Sequence, residues 1–256
     1  MDLIAALAAG EVFAFLLLFT RIGAAIMVLP GYGDSSVSPQ IRLLLALLVT
    51  ALVTPVLSPD LPPLPSMPIA LFVLVVGELV IGLFLGLIAR LLLSAIDVAG
   101  MVISFQLSLA NAFMFNPTMA AQGSLVGAFL SLLAVLLLFV TDLHHLMLIA
   151  VIDSYSLFVP GEMPPMGDAA AMVARLVAES FRIGVQIAAP FLVFGLIFYL
   201  GLGVLARLMP QVQVFFVGIP IQIMLGLVVL ALTLSTGMLY WLSIVQDRLT
   251  GFLAPV

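Results

Sequence analysis

The chain has no cysteine and no lysine, a single tryptophan, two histidines, and little charge of either sign. Each shortage removes a class of function. Without cysteine there are no disulfides, no thiolate metal ligands and no cysteine nucleophiles. Only 7% of the 256 residues are charged and 65% are apolar, whereas a soluble globular protein carries roughly 25% charged residues. Such a chain cannot present a water-facing shell, which excludes a soluble α/β enzyme. All the bases are arginine and they are scattered, so no basic run exists for nucleic acid. The formal charge is −5. The start, MDLIAALAAGEVF, is acidic at Asp2 and Glu11 with no base before Arg21. A cleaved signal peptide begins basic, so the first segment is expected to be retained.

What the chain has in abundance is long apolar runs. A helix needs about 20 apolar residues to cross a hydrocarbon core ~30 Å thick. Leu3–Leu29, Ile41–Leu57, Ile69–Leu93, Leu125–Ile152, Ala188–Met209 and Val212–Val245 meet or approach that length. The third could run on toward Gln106, and the last is interrupted by Pro220. The runs are rich in Leu and Ala and lack the alternation of a membrane barrel. A helix satisfies its own backbone in lipid. The expected fold is therefore all-α and membrane-associated, with about six long apolar helices in helical hairpins.

Three stretches break the runs: LPGYGDSSVSPQ (29–40), LSPDLPPLPSMP (57–68) and FVPGEMPPMGD (158–168). The second holds five prolines and is expected to be extended. After the third, DAAAMVARLVAESFRIG (168–184) carries Arg175, Glu179 and Arg182 and reads as a wetter helix start. That change sets an expected boundary near residue 165, dividing a region 1–165 from a hairpin 166–256. If the segments alternate, Arg42, Arg90 and Arg207 fall on one side, and Asp60, Asp153, Glu162 and Asp168 on the other. The positive-inside rule then puts both termini outside the cytoplasm.

In lipid, helices associate through close packing and a few polar contacts. Glu78, Gly82, Gly86, Arg90, Ser94 and Asp97 recur at spacings of four, four, four, four and three, one winding ridge of small or polar residues on a helix. Gly218, Gln222, Gly226, Thr233 and Gly237 form a second ridge, and Gly123 and Gly127 repeat the small spacing. Either the ridges pack within one bundle, or some face other subunits or a water-filled path. Ionisable groups at membrane depth need partners or water. Arg90 and Asp97 are about 10.5 Å apart along a helix, so at least one partner is expected on another helix; Arg21 and Arg207 need partners too.

No catalytic constellation emerges. His144 and His145 are adjacent, and neighbours on a helix point to different sides, so no metal site is expected and a capped helix end is the reading. Ser124 lacks an elbow motif. GLGVLAR (201–207) lacks the lysine and preceding strand of a phosphate loop. No cofactor is expected. A six-helix secondary transporter with a polar site at Glu78, Arg90 and Asp97 is the rival reading, although the paired broken helices common in transporters are not visible. An intramembrane enzyme is disfavoured by the missing nucleophile and base.

One stretch is harder to place. NAFMFNPTM (111–119) is too short and broken to span, and too apolar for a wet loop. By its residues alone it is either a re-entrant loop packed for stability or a flexible apolar constriction.

Three stretches together resemble a known family: FTRIGAAIMVLPGYGDSSVSPQIRLLLALLVTALVTP (19–55), GELVIGLFLGLIARLLLSAIDVAGMVISFQLSLANAFMFNP (77–117) and AAPFLVFGLIFYLGLGVLARLMPQVQVFFVGIPIQIMLGL (188–227). They are similar to the FliR family of flagellar export-gate proteins, related to the T component of virulence-associated type III secretion. Where many relatives have Gly-His, this chain has DLHH (142–145). The FYLGLG turn favours the flagellar branch.

The resemblance implies a non-enzymatic gate subunit in the bacterial inner membrane, within the flagellar basal body. It implies a region resembling FliP (1–165) fused to a hairpin resembling FliQ (166–256). FliP and FliQ are the implied partners in a channel for unfolded flagellar proteins, with FlhB and FlhA nearby. The turn carrying Arg207, Pro210, Gln211 and Gln213 would be the cytoplasmic hairpin tip. The loop near 106–122 would plug the pore. Phe113, Met114, Phe115 and Met119 suit a dewetting constriction, with Asn116 and Pro117 setting the bend.

Overall fold

The computed structural model describes residues 2–109, 124–162, 166–211 and 213–253. Every regular element among them is helical: α1 (Asp2–Val28), α2 (Pro39–Leu57), α3 (Pro68–Gln106), α4 (Leu125–Val140), α5 (Leu143–Leu157), α6 (Met166–Leu208) and α7 (Val214–Leu253). Five helices are long and apolar enough to cross a membrane, and α4 with α5 makes a sixth if the pair counts as one broken span.

The elements differ from the sequence expectation in ways with local causes. The fourth run is split at Thr141–Asp142, where Asp142 takes a left-handed backbone with φ of 59°. The wet stretch after 168 is continuous with the fifth run, giving one 43-residue helix. Pro220 does not interrupt the last run; α7 begins at Val214 and passes through it. Neighbouring helices and side chains can absorb the bond that an intramembrane proline removes. The proline-rich stretch is only partly extended, since Ser58–Asp60 forms a 3-10 turn before Leu61 turns extended.

Two compact units form. The first takes residues 1–91, 141–176 and 248–256; the second takes 92–140 and 177–247. These units interleave along the chain, a different kind of division from the linear one near residue 165, which rests on a change of composition and on the resemblance.

In the first unit α1 supplies the centre. Leu18, Ile22, Ala25 and Leu29 recur at four, three and four, and all are buried. They line one face of a 3.6-residue helix. Ala46, Thr50 and Val53 of α2 and Met147, Val151 and Tyr155 of α5 are buried in the same unit. The second unit is organised on the second half of α3, where Ala95, Ile96, Ala99 and Ile103 are buried. Val126, Leu130, Ala134 and Leu138 of α4 are buried at strict spacings of four. Trp241 of α7 is fully buried, and its indole Nε1 donates to the Leu92 carbonyl at 2.9 Å.

Candidate functional site

The polar ridge of α3 is the feature from which both units can be read. In the first unit its upper half lies against α1. Arg21 is fully buried and Glu78 is 1% exposed. The pair is a two-pronged ion pair: Arg21 Nε donates to Glu78 Oε2 at 2.6 Å and Nη2 to Oε1 at 2.9 Å. Such a fork satisfies both carboxylate oxygens at once. The remaining donors reach α5 and its end, bonding the Ser154 carbonyl at 3.2 Å and the Phe158 carbonyl at 2.8 Å. The Tyr155 ring lies under the guanidinium, 4.0 Å from its centroid. One arginine thus ties α1, α3 and the C-terminal end of α5 together.

Below that pair the helices touch through glycine. A Cβ on Gly82 would strike the Arg21 carbonyl and the Ala24 methyl, and one on Gly86 would lie 2.7 Å from the Val28 Cβ. The ridge then reaches the loop after α1, where Arg90 donates to Asp34 Oδ1 at 3.2 Å. Arg42 caps the same loop through the Asp34 carbonyl at 2.9 Å and the Val37 carbonyl at 2.7 Å. Within the chain the Arg90 side chain is 50% exposed.

In the second unit the ridge faces α4. Asp97 accepts from Ser131 Oγ. Gly100 meets Gly127 so closely that a Cβ on Gly100 would overlap the other's backbone. Ser124 is the N-cap of α4: its Oγ accepts from Gly127 N at 2.8 Å and donates to the Gly100 carbonyl at 2.9 Å. That is an ordinary capping role, joined to a helix–helix contact. Gly123 lies outside the described residues.

The second ridge packs in the same unit. Gly218 abuts Leu202, Gly226 abuts Leu107 and Phe194, and Gly237 abuts Ile187. Gln222 is 1% exposed. Its amide nitrogen donates to the Gln106 carbonyl at 2.6 Å and to Tyr199 Oη at 3.2 Å, while its oxygen accepts from Ser108 Oγ at 2.8 Å. The Gln106 carbonyl is one of those a helix C-terminus leaves without an internal partner. Gln222 therefore caps α3 from α7. Thr233 bonds back to the Val229 carbonyl at 2.8 Å.

The transporter reading asks Glu78, Arg90 and Asp97 to share a site. The structure gives each a separate partner, Arg21, Asp34 and Ser131. Glu78 and Arg90 are about 18 Å apart along α3. At the far hairpin, α6 ends at Leu208 and α7 starts at Val214. Arg207, Pro210, Gln211 and Gln213 are all exposed there. The whole of the expected plug, Phe113, Met114, Phe115, Asn116, Pro117 and Met119, lies outside the described residues.

The family model for bacterial export proteins, family 1, matches residues 12–247. The chain belongs to this export-protein family. The flagellar biosynthetic protein FliR of Caulobacter vibrioides is 40% identical over 95% of this chain and 97% of its own length. The protein of that name from Bacillus subtilis is 32% identical over 87% of this chain and 86% of its own, and that from Aquifex aeolicus 31% over 86% and 84%.

For this member of the export family, sequence reasoning singled out the ridge but missed several of its partners. Asp34, Ser131, Ser154 and Tyr199 sit far along the chain from Arg90, Asp97, Arg21 and Gln222. The one usable signal was that buried arginine needs acceptors; which ones is a tertiary matter. Arg207 is exposed within the chain in the last turn of α6, where a cation complements the helix dipole.

Proposed function

We propose that this chain is a non-enzymatic subunit of the flagellar type III export gate in the bacterial inner membrane. It joins FliP and FliQ to form the channel that passes unfolded flagellar proteins. Residues 1–165 play the FliP-like part and 166–256 the FliQ-like hairpin. The exposed tip at Arg207, Pro210, Gln211 and Gln213 meets FlhB, with FlhA further out. The family match over residues 12–247 carries this reading.

A second observation supports the assembly. In the most apolar windows of α2, α6 and α7 only 17% of residues are buried within the chain, which leaves a large apolar surface for sibling subunits and lipid to cover.

The loop at 111–119 is the plug in this proposal. Phe113, Met114, Phe115 and Met119 close the bore by dewetting, with Asn116–Pro117 shaping the bend. Gate complexes reconstituted with Phe113, Met114 and Phe115 all changed to Gly should conduct ions when closed, whereas the unaltered complex should not. Unchanged conductance would remove the plug from the proposal. Failure of the chain to co-purify with FliP and FliQ would remove the assembly.

A further inference from the structure

Asp142, His144 and His145 stand at the start of α5, and each offers a ligand atom within 4.8 Å of the others. The two imidazole rings lie side by side, with centroids 4.0 Å apart and planes at 37°. Asp142 occupies the N-cap position of α5 but makes no side-chain cap bond. An aspartate there ordinarily accepts from the helix's first free N–H groups. Here the left-handed backbone of Asp142, φ 59°, turns the carboxylate elsewhere, and Oδ1 lies 3.4 Å from His145 Nδ1. The expectation of a capped end with histidines pointing apart is thus not what the structure contains.

We propose that Asp142, His144 and His145 form a binding site for a divalent transition metal, with Zn²⁺ the natural occupant. Two imidazoles and one carboxylate are borderline donors, suited to zinc and its neighbours and poor for calcium or magnesium, which take oxygen ligands. Tetrahedral zinc with bonds of about 2.1 Å holds its donors about 3.4 Å apart. The Asp142–His145 separation already matches this. The side chains of Asp142 and His145 are 79% and 63% exposed, so rotamer change can close the remainder. Water completes the coordination. The Tyr32 ring flanks His144 at 6.5 Å between centroids, and burial pushes its phenol above the ordinary value of 10.0. It borders the site as a neutral wall. Metal at this point would fix the start of α5 just after the break at Thr141–Asp142.

Composition makes the test clean, because the chain has no other histidine and no cysteine. The full chain, purified in detergent through a tag without histidine and stripped with EDTA, is titrated calorimetrically with ZnCl₂. One equivalent should bind. His144→Ala, His145→Ala and Asp142→Asn should each weaken binding by no less than the roughly tenfold cost of losing even an outer-shell partner. Cobalt(II) in place of zinc should give the intense visible bands of a tetrahedral nitrogen–oxygen site. That spectrum reads the unaltered chain, so misfolding of a variant cannot mask the answer. A featureless cobalt spectrum, or undiminished zinc binding by the double histidine variant, overturns the site.

Discussion

At the scale of single residues, the account rests on Arg21. Its guanidinium is fully buried and bonds Glu78, Ser154 and Phe158. Removing one partner of a buried pair leaves an uncompensated charge, a loss of about 3–5 kcal/mol, while replacing both by apolar groups is often close to neutral. Glu78→Ala and Arg21→Ala should therefore lower the thermal midpoint of the detergent-purified chain sharply. The double change Arg21→Met with Glu78→Leu should recover most of the loss. A double variant no better than the singles would mean that the carbonyl bonds to α5, rather than the carboxylate, carry the stability. The residue scale is also where sequence was least informative. It showed that Arg21 and Glu78 need partners, but 57 positions separate the two, and no spacing rule reaches that far.

At the scale of elements, periodicity was far more legible. The ridge from Glu78 to Asp97 is readable because a helix repeats every 3.6 residues, and small residues at four-residue intervals must share a face. Its glycines lie where helices nearly touch, Gly82 against Arg21 and Ala24 and Gly86 against Val28; Gly100, one turn beyond the ridge, meets Gly127. Gly77, one residue before Glu78, lies off this stripe, and a Cβ there meets nothing within 4 Å. Gly86→Ala should therefore destabilise the purified chain by forcing α1 and α3 apart. Gly77→Ala should leave it unchanged or add up to about 1 kcal/mol from helix propensity. Equal melting shifts for the two would show that α1 and α3 do not meet through this face. What sequence could not supply at this scale was element ends. The break at Thr141–Asp142 falls in the polar patch Thr141–His145 of an otherwise apolar run and depends on one left-handed aspartate, and the 43 residues of α6 join a wet stretch to an apolar one. Neither carries a glycine or proline at the decisive point.

At the scale of the whole molecule, the question is what covers the apolar surface. In the most apolar windows of α2, α6 and α7 only 17% of residues are buried within the chain. Hydropathy alone reads those faces as lipid-facing. In the proposed assembly, sibling gate subunits cover part of them. The native absence of cysteine allows a direct measurement. Single cysteines placed at Ile69, Phe105, Leu196 and Leu232, all well exposed in the chain, can be cross-linked in native membranes with FliP and FliQ present. The account predicts covalent adducts to FliP or FliQ from at least one end of α3 and from the α6–α7 hairpin. Labelling of all four positions by lipid-phase probes alone, with no protein adduct, would contradict it.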